Sequence, residues 1–308
     1  MSKFIVVKRN TMIFIAIVIL LFIFSSFIFI NFITKSTVTT LGSEDNQDNM
    51  LIDLNGDGKN DELYIDKSKD IYCVKVKFAS KEVSLIPNGK QYTLGSQNNN
   101  DKIYIKTQDL TRDDIPEVII STFINKEPVN HIFKYSEGNF LNIISTDQNI
   151  VGILNSKNTK SPTLISLSSS KGDESVNSYI LKGNNFKDIS FSKTKTPGLS
   201  TSQQFIDAIE KPYEVLETPD IFSSDISSDE LSLLWNLDKE TYVYSFENGF
   251  FRDIDWDSNG DSRAIEWNLR FNCSKKIGSS EKDSQINIYI KIEKSQYGDF
   301  KISSLKKY

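Results

Sequence analysis

The residues best suited to chemistry lie in one short acidic loop, Asp53-Leu54-Asn55-Gly56-Asp57-Gly58-Lys59-Asn60-Asp61. Carboxylate or carboxamide oxygens stand at its first, third, fifth and ninth positions, which is the spacing of a loop that wraps a hard cation such as Ca²⁺. Its two glycines tolerate the positive φ angles that a tight wrap needs. We therefore predict a calcium site formed by Asp53, Asn55, Asp57, the backbone oxygen of Lys59, and Asp61.

The residues that follow this first loop predict a β context rather than an EF-hand. Glu62-Leu63-Tyr64-Ile65 reads as a strand, and Tyr64 stands where an EF-hand carries its twelfth-position Glu. The loop should therefore connect two strands. A metal-free Asn-Gly or Asp-Gly hairpin turn is the alternative interpretation.

Two further acidic loops are weaker candidates for a metal site. The second loop repeats the spacing of the first but has lost both glycines and contains Arg112, so a repeat that keeps the turn without the ion is the alternative. Its candidate ligands are Asp109, Thr111, Asp113, the backbone oxygen of Ile115, and Glu117. The C-terminal loop matches the EF-hand pattern in letter, but its flanks alternate like strands, so a solvated hairpin tip is the alternative. Its candidate ligands are Asp255, Asp257, Asn259 and Glu266.

The chain also contains a repeat. Residues 155–163 form a third, degenerate copy of the first loop's spacing, and hairpins that turn through Gly138, Gly183 and Gly249 recur along the chain. Intervals of roughly 45 to 60 residues are typical of units of about four strands, such as propeller blades.

The first loop with Glu62-Leu63 and, more weakly, residues 109–120 resemble the FG-GAP/VCBS repeats of integrin-type β-propellers and bacterial surface proteins. The resemblance implies antiparallel blades with calcium in the loop between two strands, held by the ligands of the first loop. Family members are commonly adhesion or ligand-binding modules. The chain is too short for seven blades, so we expect a mainly β fold with a small or incomplete propeller-like ectodomain of about four to five units.

The N-terminal segment is strongly apolar from Met12 to Ile33. A run of this kind spans a bilayer as one helix, for which about 20 residues are needed. Basic residues precede it, and no small-residue cleavage site follows, which favours an uncleaved anchor over a signal peptide. We therefore predict a cytoplasmic tail at 1–10, a transmembrane signal anchor at 11–34 and a stalk at 35–49. The remainder would lie outside the cell membrane.

The rest of the chain divides into a β-repeat region, 50–195, and a C-terminal β-rich region, 196–308. Short helices are predicted in the latter at residues 202–211 and 229–237, the second burying Leu231, Leu234 and Trp235. Cys73 and Cys273 each stand in a strand-like run. A disulfide and two buried free thiols are both compatible with the sequence.

Composition limits the function classes. The net charge is −5 with both signs interspersed, which argues against nucleic acid as a partner. The single histidine, His131, has no nucleophile motif beside it, so a non-enzymatic protein is favoured. We expect a membrane-anchored calcium-binding module that binds a protein or glycan, or acts as a scaffold, at the cell envelope. The alternatives are an envelope enzyme of the wall-polymer hydrolase type and a ligand-sensing ectodomain.

Overall fold

A computed structural model describes residues 40–42, 49–66, 71–88, 93–95, 102–169, 176–190, 196–213, 219–276 and 284–308. The described helices are α1 (Leu199–Glu210) and α2 (Ser228–Trp235). The described strands are β1 (Thr40–Gly42), β2 (Asn49–Ile52), β3 (Asp61–Asp66), β4 (Cys73–Lys77), β5 (Glu82–Leu85), β6 (Ile103–Gln108), β7 (Glu117–Ile124), β8 (Glu127–Ser136), β9 (Asn139–Thr146), β10 (Ile150–Leu154), β11 (Thr163–Leu167), β12 (Asn177–Lys182), β13 (Asn185–Asp188), β14 (Tyr242–Trp256), β15 (Ser262–Lys275), β16 (Ser284–Lys294) and β17 (Phe300–Lys307).

The strands form three sheets, of orders β2-β3-β4-β5, β1-β6-β7-β8-β9 and β13-β12-β11-β10-β14-β15-β16-β17. Within them the chain makes three successive antiparallel units of four strands, which we call the first unit (β2–β5), the second unit (β6–β9) and the third unit (β10–β13). Each unit begins with a hairpin of the same register. The pairs Ile52↔Asp61, Gln108↔Glu117 and Leu154↔Thr163 close loops of equal length. The repeat in the sequence is therefore a repeat of hairpins.

The structure contradicts the prediction of a propeller-like ectodomain. The sheets are open, and the described strands do not close into a ring. The reason lies in the C-terminal strands, which include β14 and β15, the two longest of the described part. The first strand of the third unit pairs in parallel with β14, from Ile150↔Gly249 to Ile153↔Arg252. This pairing merges β14–β17 with the third unit into one wide sheet instead of leaving a separate blade.

The structure also gives no support to a single-pass anchor or to a location in the cell membrane. Over the described ranges, neither helix is long and apolar enough to cross a bilayer, since α1 has 12 residues and α2 has 8. The predicted tail at 1–10 and anchor at 11–34 lie outside the described residues, as does most of the predicted stalk at 35–49.

Two hydrophobic cores hold the sheets. The first lies between the four-stranded and five-stranded sheets, with Leu54, Leu63 and Val76 from one side and Ile105 and Phe133 from the other. The second lies where the two helices cover the eight-stranded sheet. Its members include Phe205, Phe251 and Trp267, all fully buried. Strand β6 is buried on both faces because a sheet packs on each side of it.

The C-terminal region contains the two short helices that the sequence predicts. Helix α2 begins with a capping box, in which the Ser227 hydroxyl accepts from the Glu230 N–H and the Glu230 side chain accepts from the Ser227 N–H. Leu234 is buried as predicted, whereas Trp235 is 40% exposed, which corrects the prediction that it packs in the core. Cys73 and Cys273 are both free thiols, so the structure decides against a disulfide.

Candidate metal-binding loops

The first loop connects β2 to β3 and is organised by the carboxylate of Asp53. One oxygen, Oδ1, accepts from the N–H groups of Asn55 and Gly56 at 3.2 and 2.7 Å, and Oδ2 accepts from the Gly58 N–H at 2.8 Å. A short acceptor at the start of a loop satisfies amides that have no strand partner. Asp53 therefore fixes the turn before any ion is considered.

In each of two more carboxylates of the first loop, one oxygen accepts a hydrogen bond from a backbone amide. Asp57 Oδ1 accepts from the Lys59 N–H at 2.9 Å, and Asp61 Oδ2 accepts from the Leu54 N–H at 3.0 Å. The carboxamide of Asn55 accepts from the Asp57 N–H at 2.8 Å. All four oxygen-bearing side chains of the predicted calcium site are thus turned into the loop.

The second loop reproduces this network in a different sequence. Asp109 Oδ1 accepts from the N–H groups of Thr111 and Arg112 at 3.1 and 2.5 Å, and its Oδ2 accepts from the Asp114 N–H at 3.0 Å. These contacts match those of Asp53 position by position. The two loops are therefore copies in three dimensions as well as in spacing.

The remaining carboxylates of the second loop also follow the first. Asp113 Oδ1 accepts from the Ile115 N–H at 3.1 Å, and Glu117 Oε2 accepts from the Leu110 N–H at 2.7 Å. In both loops the ninth-position carboxylate lies at the start of the next strand and is almost fully buried.

The backbone of the two loops is the same even though the glycines differ. Gly56 and Gly58 have φ of 77° and 81°, and the matching Arg112 and Asp114 have φ of 60° and 65°. Non-glycine residues reach this left-handed region only at a cost of order 1 kcal/mol each. The second loop therefore keeps the turn at the expense of backbone strain, and loss of the glycines has not changed its shape.

A lysine ammonium occupies the centre of the second loop. Lys134 Nζ donates to Thr111 Oγ1 at 3.1 Å, to Asp113 Oδ2 at 3.0 Å and to Glu117 Oε1 at 3.1 Å. These are the third, fifth and ninth positions, three of the five predicted to hold a metal ion. The lysine side chain is 11% exposed, so the ammonium is held inside the loop.

The electrostatics favour a charged pair between Lys134 and Asp113, whereas burial raises the pKa of the third partner, Glu117. Burial opposes the charge of Lys134, but the hydrogen bond to Asp113 and the charge of Glu117 outweigh it and raise the pKa of the lysine. Burial likewise opposes the charge of Asp113, and the hydrogen bonds from Lys134 and the Ile115 N–H outweigh it and lower the pKa of that carboxyl. The second loop therefore carries its own cation at neutral pH.

The first loop has a phenylalanine in place of this lysine. Lys134 lies on β8 across from Glu117, one step beyond the last register pair of β7 and β8. The matching position across from Asp61, one step beyond the last pair of β3 and β4, is Phe78. Phe78 is 7% exposed and belongs to the core between the two sheets.

Consequently the first loop has no cation of its own among the described residues. No described Lys or Arg forms an ion pair with Asp53, Asp57 or Asp61, in contrast to the second loop. Burial raises the pKa of Asp61, and repulsion from Asp57 and Asp53 raises it further, against the hydrogen bond from the Leu54 N–H. The charge of Asp61 is therefore disfavoured without a bound cation.

Two of the three oxygen positions that hold the ammonium in the second loop, the fifth and the ninth, have nearly free carboxylate oxygens in the first. Asp61 Oδ1 accepts no hydrogen bond from a described residue, and Asp57 Oδ2 receives only a long contact of 3.4 Å from Asn55 Nδ2. They correspond to Glu117 Oε1 and Asp113 Oδ2. The acceptors left over are thus the ones that the copy uses for a cation.

The degenerate loop, 155–163, is completed by residues from other elements. Asp253 of β14 accepts from the N–H groups of Asn155 and Ser156 at 2.7 and 3.0 Å. Arg112 of the second loop donates to the carbonyl oxygens of Asn155 and Lys160 at 2.7 and 2.6 Å. A guanidinium is therefore seated against this loop, and the second loop is tied to it.

The C-terminal loop is a tight hairpin whose acidic residues serve the turn. Asp257 Oδ1 accepts from the N–H groups of Asn259 and Asp261 at 2.8 and 3.0 Å. Glu266 lies farther along β15, where it pairs with Arg252 on the neighbouring strand. The structure does not bring together the predicted ligands Asp255, Asp257, Asn259 and Glu266.

The buried carboxylate of the C-terminal region is also fully engaged. Asp253 is 1% exposed and, besides the degenerate loop, accepts from the Trp256 indole N–H at 2.6 Å and the Ser262 hydroxyl at 3.1 Å. Most glycoside hydrolases use a pair of carboxylates that flank the scissile bond of the substrate. Asp253 and the Arg252-paired Glu266 do not form such a pair.

Local sequence patterns did not reveal the roles of two basic residues. Lys134 is the cation inside the second loop, and Arg112 joins the second loop to the degenerate loop. Lys134 falls in a strand whose neighbours, Phe133 and Tyr135, mark it as an ordinary exposed position. Aligning the strand after each loop would have shown that Lys134 and Phe78 occupy matching positions. That alignment was the available signal.

Two negative findings complete the description. Within the described ranges, no group of three or more Asp, Glu, His or Cys side chains is placed so that it could hold a metal ion. Comparison with protein-family models and with curated proteins found no match for this chain. The resemblance to FG-GAP/VCBS repeats therefore stays a prediction that rests on the residues of the loops.

Proposed function

We propose that this chain is a non-enzymatic binding or scaffold protein in which one calcium ion stabilises the first unit. The ion would be held by the first loop, through the free oxygens of Asp57 and Asp61 together with Asp53, Asn55 and the Lys59 carbonyl. Calcium takes six to eight oxygen ligands in flexible geometry, which suits a set that includes a carboxamide and a backbone carbonyl. Its role there is structural.

The observation that carries the proposal is the comparison of the two loops. They share one backbone and one hydrogen-bond network, and the second holds an ammonium on three oxygens. The first has carboxylates at the same fifth and ninth positions, glycines at both positive-φ positions, and no described cation. Since each carboxylate offers about four lone-pair sites, an amide on one oxygen leaves the other able to bind an ion.

The binding or scaffold role is favoured by exposed apolar side chains on the sheet that carries the first loop. Leu51, which lies in β2 two residues before Asp53, is 67% exposed, and Ile86, just after β5, is 63% exposed. Exposed aliphatic side chains beside a rigid loop suit contact with a protein or the apolar face of a glycan. Calcium would fix the β2–β3 turn and thereby the position of Leu51.

Calorimetric titration with calcium, in parallel with thermal unfolding in calcium and in chelator, tests the proposal. The wild-type protein should bind one ion with a dissociation constant of order 10⁻⁴ to 10⁻³ M, as extracellular modules do. Saturation at about 100 times that constant should stabilise the fold by about 2.7 kcal/mol. Asp57→Asn should abolish both effects.

The matched control is Asp147→Asn, which removes the same charge from an exposed turn between β9 and β10. This variant should bind calcium as the wild type does. A wild-type protein that melts at the same temperature in calcium and in chelator, with no heat of binding, would refute the proposal.

A further inference from the structure

We infer that Lys134 is a built-in cation that makes the second loop independent of metal, and that removing its charge opens a divalent-cation site there. The inference concerns a different loop from the proposed calcium site and rests on contacts present in the second unit. It predicts a site that the intact chain keeps closed.

The first step is the place of the ammonium. Lys134 Nζ lies 3.0 to 3.1 Å from oxygens of Thr111, Asp113 and Glu117. A calcium ion on these oxygens would sit about 2.3 to 2.6 Å from each. The two positions overlap, so the ammonium and an ion cannot be bound together.

The second step is how firmly the Lys134 ammonium is held in the loop. The side chain of Lys134 is 11% exposed and that of Glu117 is fully buried. A buried carboxylate left without its partner strongly destabilises the fold. Calcium would have to displace an ammonium that is covalently attached beside the loop. We expect that an ion of millimolar affinity does not displace it.

The third step is that the rest of a cation site is already present. Asp109 holds the turn, Asp113 and Glu117 each have one oxygen aimed at the ammonium, and the Ile115 carbonyl stands at the seventh position as in the first loop. The backbone matches that of the first loop, including its two positive φ angles. The difference that decides whether a cation is already present is the residue across from the ninth position, Lys134 in the second loop and Phe78 in the first.

The experiment counts calcium ions in a protein whose first loop is disabled. In the Asp57→Asn background, the chain with Lys134 should bind no calcium by titration calorimetry. Adding Lys134→Met, which keeps the length and apolar stem but removes the charge, should restore binding of one ion. The same double variant should melt well below its parent in chelator and recover in calcium.

Two further variants keep the test decisive. Lys134→Arg retains a cation and should bind no calcium in the same background. Lys134→Gln keeps a hydrogen-bond donor without the charge, so it tests the inference if the methionine variant does not fold in chelator. Calcium binding by the glutamine variant supports the inference as well.

The inference is overturned if folded Lys134→Met and Lys134→Gln both fail to bind calcium at ten times the concentration that saturates a millimolar site. It is equally overturned if the Asp57→Asn protein with Lys134 intact already binds an ion that Glu117→Gln removes. Failure of the calcium proposal for the first loop would show differently, as absence of binding by the wild type while the Lys134 variants still gain a site.

Discussion

A buried lysine, Lys106, lies between the five-stranded and eight-stranded sheets. Lys106 on β6 is 5% exposed, and its Nζ finds no hydrogen-bond acceptor among the described residues. It lies instead 3.6 Å from the centroid of the Phe250 ring. Burial lowers the pKa of Lys106, and the nearby charge of Arg270 lowers it further. The residue is therefore held at a cost in stability.

We predict that Lys106→Met stabilises the fold at neutral pH. The gain should be about 1 to 4 kcal/mol, the range seen when buried ion pairs are replaced by apolar side chains. Because the folded pKa of the lysine is below its unfolded value, the cost is full at low pH and disappears as pH approaches 10.5. The difference in urea midpoint between variant and wild type should therefore shrink from pH 7 to pH 10. A constant difference would contradict this account.

His131 makes the second residue-scale prediction. It is fully buried, its Nδ1 lies 2.7 Å from Ser145 Oγ, and burial lowers its pKa from 6.5 to about 4. The unfolded chain then takes up the proton first, so stability is lost as pH falls from 6.5 towards 4, by up to roughly 3 kcal/mol. His131→Asn, which does not titrate, should remove that part of the slope in a series of urea titrations between these pH values. An unchanged slope would mean that other groups carry the acid sensitivity.

At the scale of elements, the strands that join the third unit to the C-terminal strands depend on a glycine. A Cβ on Gly152 of β10 would lie 2.1 Å from the ring of Phe251, its neighbour on β14. That ring stacks on Trp267 with centroids 4.3 Å apart. The absence of a side chain at this position is what allows β10 and β14 to pair beside the stacked Phe251 and Trp267 rings.

We therefore predict that Gly152→Ala destabilises the protein by about 1 to 3 kcal/mol or more, the usual cost of overpacking a core. Thermal unfolding measures the loss. Phe251→Leu in the same chain should recover part of it, because the smaller side chain makes room for the methyl group. Additive losses in the double variant would show that the clash with Phe251 is not the cause.

The elements also show how far the sequence led. Alternation and spacing predicted the hairpins around the first and second loops and both short helices, because those signals are local. They could not predict the parallel pairing of β10 with β14, which joins residues about one hundred positions apart and turned an expected separate blade into a wide sheet. The candidate ligands of the first two loops lie together in or directly beside those turns, and their role in binding a metal stays a prediction. The role of Lys134 depends on a cross-strand contact that no local pattern encodes.

At the scale of the whole molecule, the loops form a linked series. Each loop after the first is contacted by a basic side chain from another element. Lys134 fills the second loop, Arg112 reaches the degenerate loop, and Lys160 of that loop pairs with Asp261 of the C-terminal hairpin at 2.8 Å. Among the described residues, the first loop alone in this series has no such partner. Sensitivity to calcium should therefore be confined to the first unit.

The pH dependence of Asp61 gives a whole-molecule prediction. Its folded pKa is raised above 3.8, so ionising it costs stability. That cost is full above the folded pKa, decreases as pH falls below it, and vanishes below about 3.8. In chelator at pH 7, Asp61→Asn should be at least as stable as the wild type, since asparagine still accepts from the Leu54 N–H. In calcium the order should reverse, as differential scanning calorimetry would show. A variant that is less stable than the wild type to the same extent in both conditions would contradict a calcium role for Asp61.

The most direct measurement is a crystal structure of the protein grown in millimolar calcium. We predict electron density for one ion in the first loop, with Asp57 Oδ2 and Asp61 Oδ1 among its ligands, and the Lys134 ammonium still seated in the second loop. A first loop that keeps its amide contacts and contains no ion, or an ion in the second loop with Lys134 displaced, would contradict the account.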